Sequence, residues 1–148
     1  MSKIQNSIVD IFLPILKDRG NIEEPEIRDN LPIINKWKQL YFPNSPKSEN
    51  ANLWHSFSFG IHERFFAGES AVKQFELLTL KKIIVFSFPE VRSIKCESIN
   101  HNFTFEDILN NKAKCPYNID IYISHLNYNW TFVIPHEKEF GPYFASKY

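Results

Sequence analysis

Two runs near the carboxyl end of the chain alternate between apolar and polar residues, and this alternation constrains the fold more than any other feature of the sequence. The apolar positions of the two runs are Ile119, Ile121 and Ile123, and then Trp130, Phe132 and Ile134. A two-residue period of β-branched and aromatic residues is typical of half-buried β-strands. We therefore predict an antiparallel hairpin within residues 117–134, with both apolar sets facing one core.

The numbering of the two runs also restricts the loop that joins them. The first apolar set has odd residue numbers and the second has even ones. The numbers of two residues that face each other across the hairpin must therefore add up to an odd number. Without a bulge, this register requires a loop of two or four residues around Leu126 to Tyr128. Within that loop, Asn127 is the residue that best tolerates a left-handed backbone.

The residues that follow the hairpin predict a turn and a returning tail. Gly141-Pro142 is typical of a tight turn, which would let Tyr143-Phe144 fold back onto the sheet. Before the turn, His136 continues the apolar face that ends in Ile134, and Glu137 points to the opposite side. The structural interpretation of these two polar residues is that they hold the tail by hydrogen bonds.

Two helices are predicted before the sheet. The first has one apolar face, made of Ile4, Ile8, Ile11, Phe12 and Ile15. Pro14 lacks a backbone donor, so we expect this helix to end or kink between Asp10 and Leu13. The second begins after Asn30, which is a favourable cap. Its apolar stripe consists of Leu31, Ile34, Trp37 and Tyr41.

Two further helices and three further strands complete the predicted fold. One helix opens at Gly68 and Glu69, and the other at a capping box made of Thr104 and Asp107. The strands are expected at residues 53–61, where a helix is the rival interpretation, 82–88 and 91–99. This order predicts one α+β domain with a mostly antiparallel sheet. Residues 1–50 form its N-terminal helical part, and residues 51–148 hold the sheet, with helices at about 69–80 and 104–112.

Composition excludes several classes of function. The 148 residues include 17 basic and 17 acidic side chains, so bulk electrostatic binding to nucleic acid or to an anionic membrane is not expected. No stretch is long enough to span a bilayer, and the N-terminus does not resemble a signal peptide. The two cysteines, Cys96 and Cys115, are expected to be reduced thiols, with one disulfide between them as the alternative. A soluble cytoplasmic protein is the resulting expectation.

Histidines and carboxylates provide one candidate site. A metal or catalytic site could assemble across strands from His55, His136 and Glu69, although metal-ligand spacing and nucleophile motifs are absent and no cofactor is predicted. The more common role for such histidines is structural, with both ring nitrogens bonded. The wider candidate functional cluster comprises Trp54, His55, Glu69, Trp130, His136, Glu137 and Tyr143.

Five segments of the chain carry a resemblance to a known family. They are Leu53–Ser58, Gly68–Ala71, Trp130–Val133, His136-Glu137 and Gly141–Phe144. In this order they resemble a family of short bacterial proteins of unknown function, over about residues 53–144. The chain has Pro135 where that family has threonine. In general character, being small, α+β and rich in aromatic residues, the chain is also similar to immunity proteins of bacterial contact-dependent or polymorphic toxin systems.

These observations favour a non-enzymatic binding protein, with a cognate toxin domain as the partner that the second resemblance implies. An acidic patch around Pro25 is one place where a basic partner could bind. Its members are Glu23, Glu24, Glu26 and Asp29. Two alternatives stay open. One is a small metal-dependent or hydrolytic enzyme that uses His55, His136 and Glu137, and the other is a structural or regulatory homodimer.

Overall fold

A computed structural model describes residues 8–19, 25–42, 57, 64–78, 82–87, 92–97, 99, 103–115, 119–137 and 141–146. The helices are α1 (Ile8–Arg19), α2 (Leu31–Tyr41), α3 (Glu69–Glu76) and α4 (Phe105–Lys112). The strands are β1 (Glu26–Asp29), β2 (Phe66–Ala67), β3 (Ile83–Phe86), β4 (Arg92–Cys96), β5 (Ile121–His125), β6 (Trp130–Ile134) and β7 (Tyr143–Ser146). Together they form a single α+β domain, as the sequence predicts.

The seven strands form one antiparallel sheet in the order β1-β4-β3-β5-β6-β7-β2. The predicted hairpin is β5–β6, in which Ile121 faces Ile134 and Ile123 faces Phe132. Four residues separate the two strands, which is one of the two loop lengths that the parity of the apolar positions allowed. The predicted tail is β7, which follows Gly141 and pairs with β6.

The prediction that these strands are half-buried was wrong, because helices cover both faces of the sheet. The first face, which carries Ile121, Ile123 and Phe132, packs against α1, α3 and α4. The second face carries Tyr122 and Val133 and packs against α2. The polar positions of the hairpin therefore lie under a helix rather than in water, and every residue of β6 is buried.

Helices α1 and α2 differ from the prediction in their details. Helix α1 runs through Pro14 without ending there, and its buried face is Ile8, Val9, Phe12 and Leu16. Pro14 lies on the exposed side, so its ring displaces no core side chain, and packing of the buried residues keeps both halves in one helix. In α2, Leu31 is 63% exposed, and Ile33 is the additional residue that is buried.

Strands β1 and β2 were not predicted. All four residues of β1 are exposed, and so are both residues of β2, so neither strand has an apolar alternation to reveal it. Because β1 belongs to the sheet, the N-terminal fifty residues are not purely helical. The predicted strand at 53–61 lies outside the described residues except for Phe57, which is buried and helical. Strands β3 and β4 confirm the predictions for 82–88 and 91–99.

The predicted capping box at α4 is present and also joins two helices. Thr104 Oγ1 accepts a hydrogen bond from the backbone N–H of Asp107 at 3.2 Å, and Asp107 Oδ2 accepts one from the backbone N–H of Thr104 at 3.0 Å. Arg19 at the end of α1 bonds both carboxylate oxygens of Asp107, at 3.2 and 3.3 Å. Burial raises the pKa of Asp107, but the bonds from Thr104 and Arg19 outweigh burial and lower it overall.

This lowered pKa predicts how an Asp107→Asn variant depends on pH. A carboxyl whose pKa is lower in the folded state stabilises the protein above its unfolded pKa of 3.8 and loses this effect as pH falls through the folded pKa. We expect the free energy of unfolding of the variant to be lower than that of the wild type by about 1 kcal/mol at neutral pH. The deficit should shrink below pH 3.8.

Urea unfolding of the wild type and the variant at several pH values measures this difference. Glu106→Gln is the matched control, because Glu106 lies in the same first turn of α4 but is exposed. A deficit for Asp107→Asn that stays constant down to acidic pH would contradict the assignment of the stabilisation to the Asp107 charge.

Candidate functional site

The described members of the predicted functional cluster lie in separate parts of the fold. Trp130 lies in the core of the first face, where its ring stacks on Phe144 at a centroid distance of 5.9 Å. Tyr143 lies on the second face, with its ring 5.3 Å from that of Phe57. Glu69 is exposed at the start of α3. Trp54 and His55 lie outside the described residues.

One part of the cluster, His136, is held by a residue that sequence reasoning missed. Asp120 Oδ1 accepts a hydrogen bond from the backbone N–H of His136 at 2.6 Å. The same oxygen lies 2.7 Å from Nδ1 of the His136 ring. The Asp120 side chain is only 5% exposed, while Nε2 of His136 lies 3.6 Å from Glu137 Oε1. The bond from His136 to Asp120 joins the end of β6 to the residue before β5. The bonds from His136 and Glu137 to the tail stay a prediction.

This arrangement orients the imidazole ring, because a buried carboxylate fixes Nδ1 and thereby the direction of Nε2. Such a pair can serve as a structural anchor or can position a base. Within the part of the chain that the structure describes, no group of three or more histidine, cysteine, aspartate or glutamate side chains is arranged to hold a metal ion. Cys96 and Cys115 are both described, and no disulfide joins them.

A second candidate surface surrounds β1, which ends the described sheet. We call this surface the β1 edge and define it as Glu26–Asp29 together with Leu31. Ile27 is 45% exposed and Leu31 is 63% exposed, so apolar side chains reach solvent here. Glu26 belongs to the predicted acidic patch, but its Oε1 accepts a bond from Arg28 Nε at 2.7 Å. Asp29 is exposed, and Glu23 and Glu24 lie outside the described residues.

A cleft of about 450 Å³ lies beside the β1 edge on the second face of the sheet. Its residues come from β1, α2, β3, β4 and the β5–β6 loop. They are Arg28, Asp29, Pro32, Ile33, Ile84, Lys95, Leu126, Asn127 and Tyr128. Clefts of this volume with an apolar lining and a few charged groups are typical of binding sites.

The rim of the cleft contains an unusual backbone conformation at Tyr128, whose φ is +61°. The prediction placed the left-handed residue at Asn127, and this was wrong by one position. The backbone N–H of Tyr128 donates to the carbonyl of His125 at 2.8 Å, and the hydroxyl of Tyr41 donates to the carbonyl of Tyr128 at 2.7 Å. These bonds hold a strained residue in place, and burial raises the pKa of both tyrosines.

No helix among the described residues is both long and apolar enough to cross a bilayer. No curated protein and no solved structure matches the chain. Residues 29–144 match a family whose description is "Domain of unknown function (DUF4275)". The match begins well before Leu53, so it includes α2 and all but one of the residues that line the cleft. The chain therefore belongs to the DUF4275 family of domains of unknown function.

Proposed function

We propose that this protein is a non-enzymatic binding protein of the bacterial immunity type, which neutralises a cognate toxin domain by direct binding. The observation that supports the proposal is the exposed β1 edge. A strand at the edge of a sheet has backbone groups on its outer side that can pair with a strand of another protein. Binding of a toxin domain at this edge would place the bulk of this protein over the toxin surface.

The side chains of the β1 edge suit a specific contact better than a bulk electrostatic one. Ile27 and Leu31 offer apolar surface, and the charges of Glu26, Arg28 and Asp29 alternate in sign. Charged side chains on an edge strand discourage non-specific edge-to-edge pairing, and they favour a partner whose charges are complementary. The formal net charge of zero fits a partner that is recognised by shape and local pairing.

The test is to express in bacterial cells any toxin domain that a neighbouring gene encodes, with and without this protein. We expect growth only when both are present, and a stable complex of the two purified proteins in light scattering. If no neighbouring toxin is neutralised and no complex forms, the proposal is wrong. Light scattering of this protein alone also tests the homodimer alternative.

A pair of double variants tests the position of the interface. Ile27→Glu with Leu31→Glu should weaken the complex at least about tenfold, since buried apolar contacts dominate binding energy. Leu109→Glu with Leu77→Glu is the matched control, because Leu109 and Leu77 are 41% and 67% exposed, close to the values of 45% and 63% for Ile27 and Leu31. Equal loss of binding in both double variants would argue against the β1 edge as the docking surface.

A further inference from the structure

The cleft exists because α2 covers only part of the second face of the sheet. The residues that face α2 directly include Thr131, which accepts a hydrogen bond from Trp37 Nε1 at 2.8 Å. One cross-sheet row passes from Thr131 through Ser124 and Ile84 to Lys95. Ile84 and Lys95 of this row line the cleft.

The lining is apolar on one side. Ile84 and Ile33 are 6% and 8% exposed, so they present a largely dehydrated surface to the cleft. Pro32, Leu126 and Tyr128 also line the cleft. A ligand that fills the cleft therefore needs an apolar body, and a volume of about 450 Å³ is enough for a phenyl ring with a short chain.

The other side of the cleft carries two cations on the same face of the sheet. Arg28 faces Ser93, and Lys95 faces Glu26, so Arg28 and Lys95 are diagonal neighbours. Such neighbours have Cα atoms roughly 7–8 Å apart, which lets one carboxylate contact both side chains. Lys95 Nζ lies 3.6 Å from Glu97 Oε2, a long contact with a carboxylate that is 45% exposed.

The donors of these two cations exceed the bonds that they make to their neighbours. An ammonium group has three N–H donors and a guanidinium group has five. Arg28 contacts Glu26 through Nε and Nη2, so its Nη1 donors remain directed elsewhere. Asp29 is the one acidic residue of the lining, and it faces Arg92 in the register, away from Lys95.

We propose that the cleft binds a small amphipathic carboxylate, with its apolar body against Ile33 and Ile84 and its carboxylate at Lys95 and Arg28. The hydroxyl of Tyr41 and the carbonyl of His125 already hold the rim of the cleft at Tyr128. A preformed rim lowers the ordering cost of binding. This inference does not depend on the proposed toxin partner.

The experiment uses the full chain and two probes that share one apolar body. They are 4-phenylbutyrate and 4-phenylbutylamine, titrated in two-dimensional NMR. We expect the acid to bind with a millimolar dissociation constant, as its size implies, and to shift the amide signals of residues 95 and 126–128. The amine should bind at least about tenfold more weakly, since it cannot accept hydrogen bonds from the cations.

Two variants test the cations, and one variant is their matched control. Lys95→Met keeps an unbranched chain but removes the ammonium, and Arg28→Gln removes the guanidinium. Each should weaken binding of 4-phenylbutyrate about tenfold. Lys73→Met should leave it unchanged, because Lys73 is exposed on α3, which packs on the first face. The inference is overturned if the acid does not bind, if the amine binds equally well, or if both cation variants bind the acid as the wild type does.

Discussion

Replacing Thr131 by valine should lower the free energy of unfolding by about 2–4 kcal/mol. The Thr131 hydroxyl accepts two buried hydrogen bonds, one from Trp37 Nε1 and one from Ser124 Oγ, both at 2.8 Å. Valine has nearly the same shape, so the packing of the second face is preserved. The variant would leave two buried donors without this acceptor, and each orphaned group costs roughly 1–3 kcal/mol.

Urea unfolding of the variant measures the loss, with the slope of the transition as a check that the denatured state is unchanged. Thr131→Ser is the matched control, because it keeps the acceptor and removes only a methyl group. In a Ser124→Ala background, Thr131→Val should cost less by about 1 kcal/mol, since one of the two donors is already gone. A serine variant that is less stable than the valine variant would contradict this account.

The hydroxyl of Thr131 also shows where sequence reasoning about the hairpin succeeded and failed. Parity and period predicted that β5 and β6 pair with an odd sum of facing residue numbers and a loop of two or four residues, because these properties depend only on the local sequence. The same alternation could not distinguish polar residues that face water from polar residues that face a helix. Trp37 did indicate that some polar residues of the sheet face a helix. A buried Trp N–H requires an acceptor, and a polar residue of the sheet can supply it.

The candidate surfaces were harder to predict than the fold. The cleft is built from segments around residues 28–33, 84, 95 and 126–128, and only the order of the strands brings them together. Trp130 and Tyr143 were grouped because both belong to the carboxyl-terminal segments that carry the family resemblance, yet they lie on opposite faces of the sheet. The Asp120–His136 contact depends on which of the allowed registers occurs, since the one in which Ile121 faces Ile134 places residue 120 opposite residue 135, next to His136.

The turn before β7 supplies the second large expected effect. Gly141→Ala should lower the free energy of unfolding by about 2–5 kcal/mol. Gly141 has a φ of +74°, a conformation in which an alanine costs about 1–2 kcal/mol. A Cβ at this position would also lie 2.7 Å from Pro135 Cδ, which is closer than real Cβ contacts, and 3.2 Å from Tyr143 Cδ2, which is a tight contact. Overpacking of this kind costs roughly 1–3 kcal/mol more.

A double-mutant cycle with Pro135→Ala separates the two contributions. Pro135→Ala removes the ring atoms that a Cβ at residue 141 would meet first, but it does not change the φ of that residue. In the Pro135→Ala background, Gly141→Ala should therefore cost only about 1–2 kcal/mol. If the cost is the same in both backgrounds, the steric contribution is refuted and backbone conformation alone requires the glycine. If the cost falls as expected, Pro135 and Gly141 act as one packing unit, and the close approach of the end of β6 to the start of β7 is what restricts residue 141 to glycine.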